Sequence, residues 1–531
     1  MLEELRVAGD LLRLALDRYL SACLAIKRCS AGYSRLAGQP QLACPTSRMV
    51  LDEVSLLGEH ETKLRESKTA LHQIVNLYPD VVPVSRLPID ILVRIFTQLT
   101  VEEYEHALSD VQKTAISKYP MTLSHVCSNW RHIVIQSPLL WSYITIVSSM
   151  ENQQRFAYVD LHSKHSKEAL VNISIDTRAP ETSLSTISID PFLGRIRSLR
   201  LQWPPYSSQS IADRKMGASH LITRCLRASN GALKQFTLHM SAMAKQCPFM
   251  ESVSHPVNRN SLLLGLPHDQ LEYVLSTVAN ISLRGHYFNW ESKAYHGLTT
   301  LQLGMAGPQS IPELQLAKIL ASSPRLQYID IALKIIRDAT SPPPVHLPGL
   351  EVLTGSVLLL QLIWPGPKEL SVNIIGQWKY GHDSSMLYNA RLQDFFSRAN
   401  TARLLIDEWL FSTSEICHIV TMSPGIRALA LSCTKLSGTL PDMLKHPSLE
   451  ALYLLSECEL ERSLLIDMTN KWNIKKLLFW GENSIIRGSS YEIDSQQSLE
   501  EELSDLRDTR LEFIPCSNED ASLVDFFASQ L

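Results

Sequence analysis

The feature that most constrains this chain is a recurring apolar triplet, L-x-x-L-x-L. It appears about ten times between residues 196 and 479, about 20 to 45 residues apart. The series runs Ile196-Leu199-Leu201, Leu233-Phe236-Leu238, Val278-Ile281-Leu283, Leu298-Leu301-Leu303, Leu326-Ile329-Ile331, Leu347-Leu350-Leu353, an incomplete Ala402-Leu405, Ile426-Leu429-Leu431, Leu449-Leu452-Leu454 and Ile474-Leu477-Phe479. Ile144-Ile146 and Ile173-Ile175 are earlier strands of the same kind. Residues at i and i+2 share one face of a strand, and the residue three earlier turns in from the preceding loop. Amphipathic segments such as IPELQLAKILASSP lie between the triplets. One strand and one helix cannot bury their own apolar faces, so neighbouring units must stack. The expectation is an α/β solenoid with parallel strands on its concave side, over residues 143–531.

Upstream of residue 143 the period is helical. Leu5, Leu12, Ala15, Leu16, Tyr19, Leu20, Cys23 and Ile26 predict an amphipathic helix over about residues 1–30, followed by a linker to 46. Residues 47–80 carry heptad spacing. Val50, Leu57, Leu64, Leu71 and Tyr78 fill one seam position, and Val54, Glu61, Lys68 and Val75 the other. Two readings stay open: a coiled coil, with self-association through residues 50–78, or a hairpin folded back on residues 1–30. Pro79 and Pro83 end the pattern, because proline lacks the amide donor and clashes with the preceding turn.

Residues 84–142 contain LPIDILVRIF and, after a polar stretch, LSHVCSNWRHIVIQSPLLWS. This segment resembles the F-box, in the F-box-like form abundant in mushroom-forming fungi. Leu87, Pro88, Asp90, Ile91, Leu92, Ile95, Phe96, Leu123, Val126, Cys127, Trp130, Arg131, Pro138, Leu140 and Trp141 match the family pattern in order. The resemblance is sharp over about 60 residues, and the helix before it and the repeats after it also look like that family. It departs from a typical F-box in one place: about 22 residues, Thr100 to Met121, separate the first two helices, where a typical F-box uses a short loop, an insertion of a sort frequent in the fungal F-box-like form.

The resemblance implies a helical F-box followed by an irregular leucine-rich-repeat-like region. It implies docking to a Skp-type adaptor and, through that, to a cullin scaffold and a ubiquitin-conjugating enzyme. Leu87, Pro88, Ile91, Leu92, Ile95 and Phe96 are the expected adaptor-binding residues. Leu123, Val126, Cys127, Trp130, Pro138, Leu140 and Trp141 are the expected F-box core, with Trp141 bridging into the first repeat. The repeats are expected to hold an unidentified protein substrate, with Arg200, Gln202, Gln302, Asp330 and Tyr453 on the binding surface. An interaction scaffold without ubiquitin transfer is the alternative.

Other chemistry finds little support. The chain is 531 residues with net charge −4, which offers no broad cationic field for nucleic acid or an anionic membrane. Its ten cysteines include no CxxC pair, so neither a disulfide framework nor a zinc site is expected, and the thiols read as mostly buried and reduced. No P-loop, GxGxxG or GxSxG occurs, and no enzyme activity, cofactor or metal is expected. His162 and His165 in DLHSKHSKE read as a solvated helix face, and Cys417-His418 as adjacent residues pointing apart. Without an apolar run long enough to span a bilayer or a secretory leader, cytoplasm or nucleus is the expected location.

Overall fold

The computed structural model describes residues 1–33, 45–75, 83–109, 118–147, 150–176, 189–203, 211–229, 231–240, 249–254, 261–305, 309–376, 390–407, 411–432, 434–440, 449–455, 458–480, 485–487, 495–506 and 509–514. They form two compact units, Met1–Leu87 and Pro88–Leu531.

The first unit is two long helices, α1 (Leu2–Tyr33) and α2 (Pro45–Val75). Pro45 opens α2 in its first turn, where a missing amide costs nothing. Tyr19 of α1 lies near Glu53 of α2. α1 does not close over the seam: Val50, Leu57, Leu64 and Leu71 remain 38–41% exposed. Tyr78 lies outside the described residues.

The second unit opens with α3 (Ile89–Ser109), α4 (Tyr119–Ser124), α5 (Ser128–Gln136) and a 3-10 turn at Pro138–Trp141. Then come the strands of one fourteen-stranded sheet. In chain order they are β1 (Tyr143–Val147), β2 (Val171–Asp176), β3 (Ile196–Trp203), β4 (Gln235–Met240), β5 (Asn280–Arg284), β6 (Thr300–Gly304) and β7 (Tyr328–Ile331). The series continues with β8 (Val352–Gly355), β9 (Glu369–Ile375), β10 (Asn400–Asp407), β11 (Ala428–Ser432), β12 (Ala451–Leu454), β13 (Lys476–Trp480) and β14 (Arg510–Ile514). Spatial order equals chain order, and every neighbour pair is parallel. The fold class is α/β, as expected. A parallel pair requires a crossover, and the chain supplies helices for it, among them α6 (Asn152–Ser166), α7 (Ile211–Ala228), α8 (His268–Leu275), α9 (Glu313–Ala321) and α10 (Val357–Gln361). Further on come α11 (Ala390–Arg398), α12 (Thr413–Met422), α13 (Arg462–Lys471) and α14 (Gln496–Glu502).

Register places the triplet residues in one continuous row. Leu199, Phe236, Ile281, Leu301, Ile329, Leu353, Val372, Leu404, Leu429, Leu452, Leu477 and Leu511 are successive partners. All but Leu511 are fully buried, in one core with the helices. Two triplets were out of phase. In β8 the inward pair is Leu353 and Gly355, and Leu347 belongs to a separate short strand, Val345–Leu347. In β10 the inward residues are Leu404 and Ile406, and Leu405 faces the other way, because the register with β9 shifts between Leu370 and Ser371. Gly355 is required in its row: a Cβ there would lie 3.2 Å from the Ile331 carbonyl and closer still to the Leu359 side chain. β9 and β14 escaped the triplet pattern. The position three before Val372 is Glu369, and the position three before Leu511 is Asp508.

Candidate interaction surfaces

The helical segment at the start of the second unit sorts the motif residues into two sets. One face of α3 is internal: Leu92 and Phe96 are 2% and 1% exposed, and Thr100 and Tyr104 continue that face at four-residue spacing. The Phe96 ring packs on Trp130 of α5 with centroids 4.6 Å apart. Leu123, Ile133, Val134, Leu140 and Trp141 are buried with them. Leu92 and Phe96 were expected on the partner surface and are core instead, because they fall on the side of α3 turned to α4 and α5.

The next strip around α3 stays open. Pro88 is exposed, and Ile91 and Ile95 are 40% and 43% exposed. Gln98 and Glu102, hydrogen-bonded to each other at 2.9 Å, end this apolar strip one turn on. Ile89, which the motif match passed over, is 64% exposed. Leu87 is exposed as well and belongs to the first unit. Val126 was expected in the core and is 57% exposed, since it lies between α4 and α5. Its neighbour Cys127 caps α5, the sulfur accepting from the Trp130 amide at 3.4 Å. Cys127, Trp130 and Pro138 are half-buried.

The first ten residues of the long connection after Leu99 continue α3, which runs to Ser109; residues 110–117 lie outside the described residues. Glu103 then reaches the start of α4: its carboxylate accepts from the Lys118 amide at 2.9 and 3.0 Å and from the Tyr119 amide at 3.1 Å. An acid at a helix N-terminus satisfies otherwise orphaned donors and the helix dipole.

Trp141 joins this helical segment to the sheet. Its indole Nε1 donates to the Val134 carbonyl at 2.9 Å, and its own carbonyl accepts from His162 Nδ1 of α6 at 3.0 Å. The His162 and His165 rings pack on the indole at 5.4 and 4.7 Å. His162 is fully buried, and its Nε2 has no partner. This overturns the solvated reading of DLHSKHSKE: the Trp141 ring fills the side that water was expected to occupy. Burial holds the His162 imidazole neutral, down to about 4, against the opposing hydrogen bond to Trp141. The exposed β1 edge is covered from the same side, with the Thr145 amide donating to the Tyr158 hydroxyl at 3.4 Å.

The face of the sheet opposite the helices is the second candidate surface. Its central row reads Thr145, Ser174, Arg200, Thr237, Ser282, Gln302, Asp330, Thr354 and Asn373 along β1–β9, then Leu405, Ala430, Tyr453 and Leu478 along β10–β13. Arg200, Gln302 and Asp330 share this row half-buried, with Gln202 beside it; Tyr453 stands in the row too, but it is buried in the apolar end and not on an open binding surface as expected. The Gln202 amide faces the Arg200 guanidinium and, with its oxygen turned toward it, accepts from Nε and Nη2 at 3.0 and 2.9 Å. His239 Nε2 lies 3.0 Å from the Ser282 hydroxyl. Burial, then the Arg200 and Arg284 cations, push its imidazole down to about 4. Asn373 donates to Thr354 across the strands at 2.9 Å. In the second part, Leu405, Ala428, Ala430, Ala451, Tyr453, Leu455, Leu478 and Trp480 form their own apolar cluster.

Chemistry elsewhere is sparse. Among the described residues, no group of three or more His, Cys, Asp and Glu side chains could hold a metal ion. Burial raises the Cys225 thiol to about 12 and those of Cys417 and Cys458 to about 11, so these behave as apolar groups. Cys23 departs from that reading and is exposed on α1. A cleft of about 620 Å³ beside α8 is lined by Glu251, Asp269, Glu272 and Glu291. Glu272 is already engaged there, accepting from the Ser292 hydroxyl and the Lys293 amide. No described helix is long and apolar enough to cross a membrane.

No protein-family model matches the chain, and no curated protein matches it. Among solved structures, the chain is similar to one from the yeast Rad7 and Elc1 complex, at 11% identity and a TM-score of 0.37, over 89% of this chain and 98% of that one.

Proposed function

We propose that this chain is the substrate-recognition subunit of an SCF-type ubiquitin ligase, resident in the cytoplasm or nucleus. In this reading the 84–142 segment is an F-box that binds a Skp-type adaptor, and through it a cullin scaffold. Strands β1–β14 are the concave wall of a leucine-rich-repeat-like solenoid that binds a protein target. The chain performs no bond chemistry. It holds target lysines near a charged conjugating enzyme, which raises their effective concentration.

The observation that carries the reading is the sorting of the ordered motif on α3. Leu92 and Phe96 build the core, whereas Pro88, Ile91 and Ile95 leave an apolar strip on an otherwise polar helix. Such a strip suits a partner helix laid along it. Trp141 supports the reading too, since its hydrogen bonds and ring contacts tie α5 to α6, the helix that follows β1.

The test is a binding assay between the full chain and a purified Skp-type adaptor, followed by cullin co-purification from cells. Adaptor and cullin binding together support the ligase role. Adaptor binding with no cullin supports the scaffold alternative. No adaptor binding removes both.

A further inference from the structure

We infer that residues 515–531 fold back over the apolar end of the sheet face and cover Leu405, Ala430, Tyr453 and Leu478. The inference does not depend on the reading of that face as target-binding. In the same row Gln302 and Asp330 are half-buried, whereas Tyr453 and Leu478 are 1% and 0% exposed. A side chain standing off a sheet is screened at its flanks by its row neighbours, and at its tip only by a second layer. Tyr453 stands between Ala430 and Leu478, and the alanine is too short to screen the ring. A layer therefore lies on β10–β13. Among the described residues no helix supplies it. The buried residues of α11–α14 belong to the core on the other face. The apolar cluster holds only residues of β10–β13, Leu455 just after β12, and Ile514 of β14.

Residues 515–531 suit that place by position, pattern and length. They follow directly on Ile514, which already packs against the cluster. Pro515 stops the strand ladder, because it has no amide to donate. Ser517 is a capping residue type, and Glu519 and Asp520 favour the first turn of a helix. Leu523, Val524, Phe527 and Leu531 then recur at helical spacing, with Asp525 and Ser529 on the opposite side. As a helix, residues 518–531 extend about 21 Å, against about 14 Å from β10 to β13. The other long connection at this end, 377–389, has to return to α11 at Ala390, on the helix side of the sheet. The occupant is thus an amphipathic segment of the chain itself. It closes the apolar end and leaves Arg200, Gln302 and Asp330 as the accessible part of the row. A target with an apolar segment reaches β10–β13 only by displacing it.

The test is maleimide labelling of thiols in the full chain under native conditions, mapped by peptide mass spectrometry. Ala430→Cys puts a thiol at the fully buried centre of the cluster. It is expected to label as slowly as the buried Cys225, while Cys23, exposed on α1, labels fast. Adding Leu523→Asp with Phe527→Asp should raise the rate at position 430 at least about tenfold and leave Cys225 protected, the sign of an intact fold. If the double aspartate change unprotects Cys225, Leu523→Ala with Phe527→Ala is read in its place, with the same expectation. Ser529→Asp, on the polar side of the segment, should leave position 430 closed. The proposal is overturned if the Ala430→Cys thiol labels as fast as Cys23 in the otherwise unchanged chain. It is also overturned if that thiol stays closed in the Leu523/Phe527 variant, which would assign the cover to another segment such as 377–389. Equal opening by Ser529→Asp overturns it too, since the contact would then have no apolar face.

Discussion

Strands β2–β9 and strands β10–β13 share one inward row and differ on the opposite face. The inward row is leucine, isoleucine, valine or phenylalanine in both stretches, apart from Gly355. Facing away from the helices, β2–β9 show serine, threonine, arginine, glutamine, aspartate and asparagine along the central row. β10–β13 show leucine, alanine and tyrosine there, with Trp480 beside them. A row that stays apolar along the whole sheet, Gly355 apart, is structural, since every unit needs the same seal between strand and helix. A row that changes character along one sheet is free to be shaped by what it binds. The lesson is a division of labour between faces, with the second face itself divided.

Breaking the buried apolar rows on either face of the sheet should have the largest effect. Tyr453→Ala and Leu301→Ala remove a fully buried ring and a fully buried side chain from opposite faces, and each is expected to cost about 3–5 and 2–5 kcal/mol in urea unfolding. If Tyr453→Ala costs nothing, the apolar cluster of β10–β13 contributes no stability and the contrast between the two stretches fails.

A smaller effect marks the polar end of the sheet. His162 is expected to titrate near 6.5 when unfolded and about 4 when folded. The folded state binds the proton more weakly, so its contribution is intact above about pH 6.5 and is lost as pH falls toward 4. The loss approaches about 3 kcal/mol. Thermal melts at pH 7 and pH 5 measure it. His162→Gln should flatten that part of the pH dependence, with His239 supplying a residual slope from its own depressed imidazole.

The smallest stability change should come from a half-buried member of the polar row. Gln302→Ala is expected to alter stability by about 0.5 kcal/mol or less. Its effect should appear instead in capture of the target, read by quantitative mass spectrometry of proteins retained when the cullin pathway is blocked. A Gln302→Ala chain that unfolds like Leu301→Ala would mean the second face is structural throughout.

The inward row was legible in the sequence because two periodicities reveal it: i,i+2 on the strand and i−3 in the loop. It failed where the physics of the loop differs. Glu369 at the start of β9 and Asp508 ahead of β14 stand where the triplet has its leading apolar residue, and the strands pair with their neighbours regardless. The bulge at Leu370/Ser371 shifted the phase and turned Leu405 to the other face. On α3 the motif matched residues without saying which side they face. Four-residue spacing separates Ile91 and Ile95 from Leu92 and Phe96, and that signal was available; it does not place Pro88, which is three residues from Ile91 and four from Leu92. The burial of His162 was not, because it depends on Trp141, 21 residues away, closing over it.

The central claim is that the Pro88–Ile91–Ile95 strip docks an adaptor. The most direct measurement is calorimetric titration of a purified Skp-type adaptor into the full chain, wild type against Ile91→Asp with Ile95→Asp. Both positions are exposed, so the fold should survive, with unchanged melting temperature as the control. The expected result is a stoichiometric complex for the wild type and affinity at least about a hundredfold weaker for the variant. A wild type that does not bind, or a variant that binds equally well, contradicts the account.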